Sequence, residues 1–325
     1  MIGTLLASRY EVLSLVTDGP IFIAYAAKDE TSGRDVLVRI VKQPFGAYPE
    51  FYGALKRSTE IYGSVKSQLI EGVLDVGKDT DTVFFVTELT RGPTLSERIK
   101  KLAPFSIPVS VATGISICQA LEPLHRYRLA HGDLTPPNIV VMANGDVKLQ
   151  LAGIWEVYSA SPTAGAMVLP GMAPYLAPEV SAGSMPSTAS DVYALGVILY
   201  ELLAGRLPYY GDTAVSVAIQ HSSVSTPSVR EINPSVPAVL DEIVKKAMAK
   251  DPTQRYQQAA QLIADLRLVQ DALRFGRTLT WPIQASSAEP DTPKASPKRR
   301  KETTEAQPVA PRMSAVRTEE GSSSR

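Results

Sequence analysis

The first ninety residues alternate. "YEVLSLV", "IFIAYAAKD" and "DVLVRIVK" set β-branched and aromatic residues in rough period two, divided by Asp-Gly-Pro and Ser-Gly turn signals. They predict three strands. A helical stretch is expected over residues 49–67, and two more strands near residues 72–77 and 82–89. From Thr94 onward the helical period dominates, in "TLSERIKKL", "VSVATGISICQALEPLHRYRL", "SDVYALGVILYELLAG", "PAVLDEIVKKAMA" and "AAQLIADLRLVQDAL". The pattern therefore describes an α+β chain, with a small β-rich lobe (residues 1–89) joined to a larger, mainly helical lobe (residues 90–277). It then lapses. Residues 278–325 turn rich in Pro, Ser, Thr, Lys, Arg and Glu, with few large apolar side chains. Such a segment buries too little surface to offset its ordering entropy, so disorder is expected there. The basic run "PKASPKRRKE" inside it reads as a solvated tail.

Composition narrows the function classes. With 325 residues, 44% of them hydrophobic, the chain can bury a sizeable core. Lys+Arg and Asp+Glu both total 33, so no net charge favours nucleic acid or an anionic membrane as partner. The one cysteine, Cys118, excludes an internal disulfide and reads as a buried helix residue. Three histidines, His125, His131 and His221, are too few for a His/Cys zinc site to be expected. Residues 1–10 lack a basic start followed by an apolar core, and the longest apolar run contains Glu201 and falls short of the ~20 residues of a membrane span. A cytoplasmic location with no membrane span is expected.

Four stretches carry chemistry. "HGDLTPPN" (residues 131–138) holds Asp133 and, five positions on, Asn138. "APYLAPE" (residues 173–179), "SDVYALGVILYELLAGRLPY" (residues 190–209) and "AKDPTQRY" (residues 249–256) follow in order. In sequence and spacing they resemble the catalytic loop, the end of the activation segment, the central large-lobe helix and the late helix pair of a bacterial serine/threonine protein kinase. The resemblance runs from about Leu5 to Arg274. It implies a bilobal protein-kinase fold and transferase chemistry on ATP, in which catalysis is mostly positioning and charge neutralisation.

Against that pattern the chain departs at most of the charged positions. Of the three glycine-loop positions only Gly19 is glycine; the others hold Thr17 and Phe22, and Pro20 removes a backbone donor. The third-strand lysine is Arg39, which keeps the charge and loses the compact ammonium. Leu37 and Ala24 replace an alanine and a valine of the adenine roof, so the slot is expected to be partly filled. The helix glutamate falls on Ser58; Glu60, about 200° round the helix, is the alternative if the alignment slips. Gly132 and Thr135 replace the arginine and lysine of the catalytic loop, and Met172 replaces a threonine. In "VKLQLAG" the metal-binding Asp-Phe-Gly becomes Leu151, Ala152 and Gly153. Magnesium needs hard oxygen ligands, and leucine has none. Each such loss is worth about 10²–10³ in rate by analogy with a single charge-stabilising donor, and the losses do not simply multiply.

What remains is architectural. The resemblance implies that Glu179 pairs with Arg255 and that Asp191 holds the catalytic-loop backbone. Asp133 stays at the base position, Asn138 at a metal position, and Gly19, Arg39 and Asn138 form a degenerate nucleotide site. His131 reads as a packed core histidine. Ser159, Ser161 and Thr163 read as exposed loop residues, since Gly132 removes the usual phosphate anchor. The expectation is a pseudokinase: a signalling module with a protein partner, no required cofactor, weak nucleotide binding at most, and Mg²⁺ disfavoured by Leu151. The alternatives are an atypical serine/threonine kinase with residual activity through Asp133, Asn138 and Arg39, and a nucleotide sensor.

Overall fold

In the computed structural model the described residues are 1–159 and 171–283. Ser161 and Thr163 lie outside them, as do residues 284–325 with the basic run. The first strands form one antiparallel sheet: β1 (Leu5–Leu6), β2 (Tyr10–Asp18), β3 (Phe22–Asp29), β4 (Arg34–Val41), β5 (Val73–Asp79) and β6 (Thr82–Glu88), in the order β1-β2-β3-β4-β6-β5. The β3–β4 turn closes on Gly33 at φ +69°, a left-handed position that glycine takes without strain. Asp29 at its base accepts Arg9 Nε and Nη2, at 2.8 and 2.9 Å.

β4 is buried on both faces. Val36, Val38 and Ile40 join Tyr10, Val12 and Phe84 on one side. Leu37, Arg39 and Val41 face the other way, opposite Ala26, Ala24 and Phe22 on β3. Across β6 their partners are Thr87 for Leu37 and Phe85 for Arg39. This second face is the roof of the cleft between the lobes. Against it lies helix α1 (Pro49–Gly63), which buries Phe51, Ala54, Leu55, Ser58 and Tyr62. That helical spacing explains the element. The helix stops at Gly63, short of the residues 49–67 expected.

The larger lobe is helical: α2 (Leu95–Leu102), α3 (Ile107–Arg126), a hairpin of β7 (Ile139–Val141) and β8 (Val147–Leu149), α4 (Ile154–Ser159), α5 (Pro178–Ser181), α6 (Thr188–Ala204), α7 (Ala214–Ser223), α8 (Ala238–Ala247) and α9 (Ala259–Phe275). α6 is buried almost all round, as its continuous apolar sequence requires. Ser187 caps its start through a reciprocal bond with Ser190, and Gly205 at φ +73° ends it. A Cβ on Gly196 would sit 2.8 Å from Met248, so glycine sets the close approach of α6 and α8. α3 has the length and composition of a membrane span, and half of that window is buried; its inner face joins α6 and α9 in the large-lobe core. Cys118 is part of that face, and burial pushes its thiol well above the ordinary range.

Candidate functional site

The loop over residues 131–138 is built on α6. Asp191 accepts the backbone N–H of His131 at 2.6 Å and of Gly132 at 3.0 Å. It also lies 3.0 Å from His125 Nε2. His125 Nδ1 accepts the N–H of Ala259, so its proton sits on Nε2 and is donated to Asp191. Held this way, the loop brings Asp133 and Asn138 together. Asn138 Nδ2 donates to Asp133 Oδ2 at 2.8 Å and to the Asp133 carbonyl at 3.0 Å. The other carboxylate oxygen, Oδ1, is buried with no partner among the described residues. Burial pushes the Asp133 carboxyl up to about 7, against the hydrogen bonds of Asn138 and Thr135 that favour its charged form. His131 is fully buried, and burial lowers its pKa. Gly132 takes φ +83°, and a Cβ there would meet Trp155 at 3.0 Å. An arginine at this position would strain the backbone and displace α4.

Below the loop, Arg255 grips Glu179 through two bonds of 2.7 and 2.8 Å. Its remaining donors reach the carbonyls of Ala249, Ala189 and Lys250. The guanidinium is thus fully used, which makes a buried arginine tolerable.

The cleft roof uses its charge differently. Arg39 donates to Thr87 Oγ1 at 2.7 Å and to Glu71 Oε1 at 3.0 Å, and it stacks over the Phe85 ring. Glu71 also accepts Gln150 Nε2 at 3.0 Å. Glu71 is brought here by backbone: its N–H bonds to the Leu149 carbonyl and the Leu149 N–H to Leu69, so the strand entering β5 runs beside β8. Ser58 faces inward from α1 and donates to the Gly153 carbonyl at 2.9 Å, while Glu60 is exposed. The open choice between them therefore falls to Ser58, and no α1 carboxylate reaches Arg39. Gly19 sits in the β2–β3 turn with its N–H bonded to the Phe22 carbonyl at 2.9 Å.

At the metal position Leu151 has φ +61° and packs, half-buried, into an apolar cluster. That cluster crosses the cleft: Phe22, Val41, Val83 and Phe85 come from the sheet, Phe51 and Leu55 from α1, and Ile154, Val157 and Met172 from the large lobe. Phe22 lies edge-on to Phe85 at 5.2 Å between centroids and 6.2 Å from Tyr158. Burial and the charge of nearby Asp133 hold the Tyr158 hydroxyl protonated, partly offset by Arg39. The segment after Gly153, expected as loop, is helix at its start. Ile154, Val157 and Tyr158 recur at i, i+3 and i+4, a signal its short length obscured. Ser159 ends that helix and is exposed.

A magnesium triphosphate needs oxygens beside cations. Asp133 and Asn138 offer oxygens, Leu151 offers none, and Arg39 is already committed to Glu71 and Thr87. The donor set does not fit that group. Three participants escaped the sequence reading: Glu71, Tyr158, and Phe22 as an inward ring rather than a missing glycine. Glu71 carries no motif; only the pairing of Leu149 with the chain before β5 reveals it.

The family described as protein kinase domain matches residues 10–265. A probable serine/threonine-protein kinase of Clostridium perfringens is 34% identical over 269 residues, 83% of this chain and 39% of that protein. The serine/threonine-protein kinase PrkC of Bacillus subtilis is 32% identical over 275 residues, 85% of this chain and 42% of its own length. The chain thus spans about two-fifths of these relatives. PknL of Mycobacterium tuberculosis is 32% identical over 83% of this chain and 68% of its own. The crystal structure of the M. tuberculosis PknI kinase domain superposes with a TM-score of 0.67 at 20% identity, covering 84% of this chain and 99% of that one, which shows the fold. Kinases of this family ordinarily use ATP and Mg²⁺. With fold, motif order and sequence in agreement, the chain belongs to the protein kinase family.

Proposed function

We propose that this kinase domain is a pseudokinase, a regulatory or binding module in which phosphoryl transfer is impaired. The observation that carries the reading is Leu151 at the metal position, packed with Ile154 and Phe22 in one apolar cluster between the lobes. Hydrophobic side chains stand where the transfer needs a carboxylate and flexible glycine backbone. The diversion of Arg39 to Glu71 supports the same reading. On this reading no cofactor is required, the partner is a protein, and the chain works in the cytoplasm.

The test is transfer of labelled γ-phosphate from ATP, with Mg²⁺, to the chain itself and to a generic substrate. No signal above that of Asp133→Ala is expected. Transfer by the wild type that Asp133→Ala abolishes overturns the proposal. A second reading, a serine/threonine kinase with residual activity, is favoured by the relatives named as such and by the paired Asp133 and Asn138. Leu151→Asp separates the two further: it raises transfer only if the remaining site is competent. A thermal shift with ATP addresses the nucleotide sensor, since a ligand at 100 times its Kd adds about 2.7 kcal/mol.

A further inference from the structure

α9 ends on Gly276 in the left-handed region, and the N–H of Arg277 returns to the Ala272 carbonyl at 2.8 Å. The chain leaves the helix axis there, and the residues that follow alternate. Leu279, Trp281 and Ile283 are half-buried against the large-lobe core, while Thr278, Thr280 and Pro282 are exposed. Period two is the signature of an extended segment lying on a surface. Composition puts these residues in the tail; packing makes them a strap on the large lobe.

The strap rests on a cation. Lys246 of α8 holds its ammonium 4.0 Å from the centroid of the Tyr256 ring and 5.6 Å from that of Trp281. Both rings are within reach of a cation–π attraction. Neighbouring Lys245 takes the nearby carboxylates, Asp241 at 2.8 Å and Glu242 at 3.0 Å, and among the described residues Lys246 has no acidic partner. Tyr256 is buried, and its hydroxyl donates to Asp265 at 2.7 Å. The walls are set without the strap, because α8 and α9 bury Ile243, Val244, Ala247, Leu262 and Leu266 in the core. The strap itself is loosely held. Among the described residues no backbone–backbone hydrogen bond fixes residues 278–283. Three half-buried side chains carry it, and segments of that kind open at low free energy.

We propose that the surface under the strap is a docking groove for a partner protein, and that the strap is its built-in competitor. The seated occupant states what the groove reads: an extended segment with a tryptophan between two aliphatic residues, at positions i, i+2 and i+4. Tryptophan is among the side chains that most often anchor an interface, and here it meets a cation and a ring already in place. The lone ammonium of Lys246 selects against a basic residue beside that tryptophan. A partner segment gains the groove only as the strap leaves, so the two exclude each other. The groove shares no residue with the cleft and does not depend on whether phosphoryl transfer survives.

The probe is the peptide of residues 277–283, dye-labelled and titrated into the full chain by fluorescence anisotropy. Saturable binding to Trp281→Ala is expected, about tenfold or more tighter than to wild type, whose own strap competes. Leu279→Ser with Ile283→Ser frees the groove from two other positions and should act alike. Far-UV circular dichroism verifies folding, and either folded variant suffices. Adding Lys246→Gln to either should weaken the peptide about fivefold or more, and a peptide with alanine for its tryptophan should not bind. No saturable binding to a strap-released variant, equal binding to wild type, or indifference to Lys246→Gln overturns the groove. Equal binding of the alanine peptide overturns the assigned partner chemistry. A wild-type dimer that Trp281→Ala dissolves, read by analytical ultracentrifugation, makes the occupant a second copy and overturns the partner assignment.

Discussion

Arg255 and Arg39 are both buried arginines paired with a glutamate, one in the large lobe and one in the cleft. Arg255 meets Glu179 head-on with two bonds and spends its other donors on backbone carbonyls. Its partner is the one the kinase pattern names, and the pair braces the segment that ends at Glu179. Arg39 meets Glu71 with one bond, shares it with Gln150, and turns its second nitrogen to Thr87. Its partner is not the one the pattern names. The same need, to compensate a buried cation, braces the end of the segment at Glu179 in one place and in the other ties Arg39 to Glu71 and Thr87. Chemistry at the two arginines is alike; the origin of the carboxylate decides what each can do.

The strongest way to break the comparison is at the brace. Arg255→Ala leaves Glu179 without its partner and should cost about 3–5 kcal/mol, read as a lowered urea midpoint. Asp133 comes next. Its folded pKa lies above its unfolded value, so between about pH 4 and 7 the native state binds more protons than the unfolded one. The stabilisation is complete below the unfolded pKa and is lost as pH rises through about 7. Asp133→Asn should therefore gain stability over wild type progressively across that window, by up to about 4 kcal/mol at ~1.4 kcal/mol per unit. His221, lowered to about 4 by burial and Lys250, loses stability toward acid instead, so the difference between variant and wild type is the quantity to plot.

The cleft pair sharpens the contrast through a double-mutant cycle. Glu71→Leu alone should cost about 3 kcal/mol by stranding Arg39, whereas Arg39→Met with Glu71→Leu should fall within ~1 kcal/mol of wild type. A double variant as unstable as the single one would mean the pair is a brace like Arg255 and Glu179. Smallest is Tyr158→Ala, which removes the half-buried ring against Phe22 at about 1–2 kcal/mol. If that ring obstructs the nucleotide, the thermal shift with ATP should also increase.

The large lobe was the more legible half. Its helices have long apolar periods, and Asp133, Asn138, Glu179, Asp191 and Arg255 stand at fixed spacings that local motifs reveal. Strands β2 to β6 were legible too, because alternation and turn residues are local signals. The cleft was legible as a set of departures only. Leu151, Ser58 and Arg39 could be named as departures from the kinase pattern. What each does instead depends on neighbours far along the chain. Ser58 is 95 residues from Gly153, and Arg39 is 32 from Glu71. Helix α4 was missed because six residues carry little periodic signal and owe their helix to packing against α1 and the sheet.

By itself the sequence determined the lobes, the order of the motifs and the absence of a carboxylate at position 151, since these depend on residue type and near spacing. Only the tertiary structure decided that Glu71 claims Arg39, that Phe22 and Tyr158 meet across the cleft, and that Ser58 reaches the Gly153 carbonyl. Those outcomes are contacts between distant segments. Residue identity states what a side chain needs, while packing selects which of the available partners it obtains.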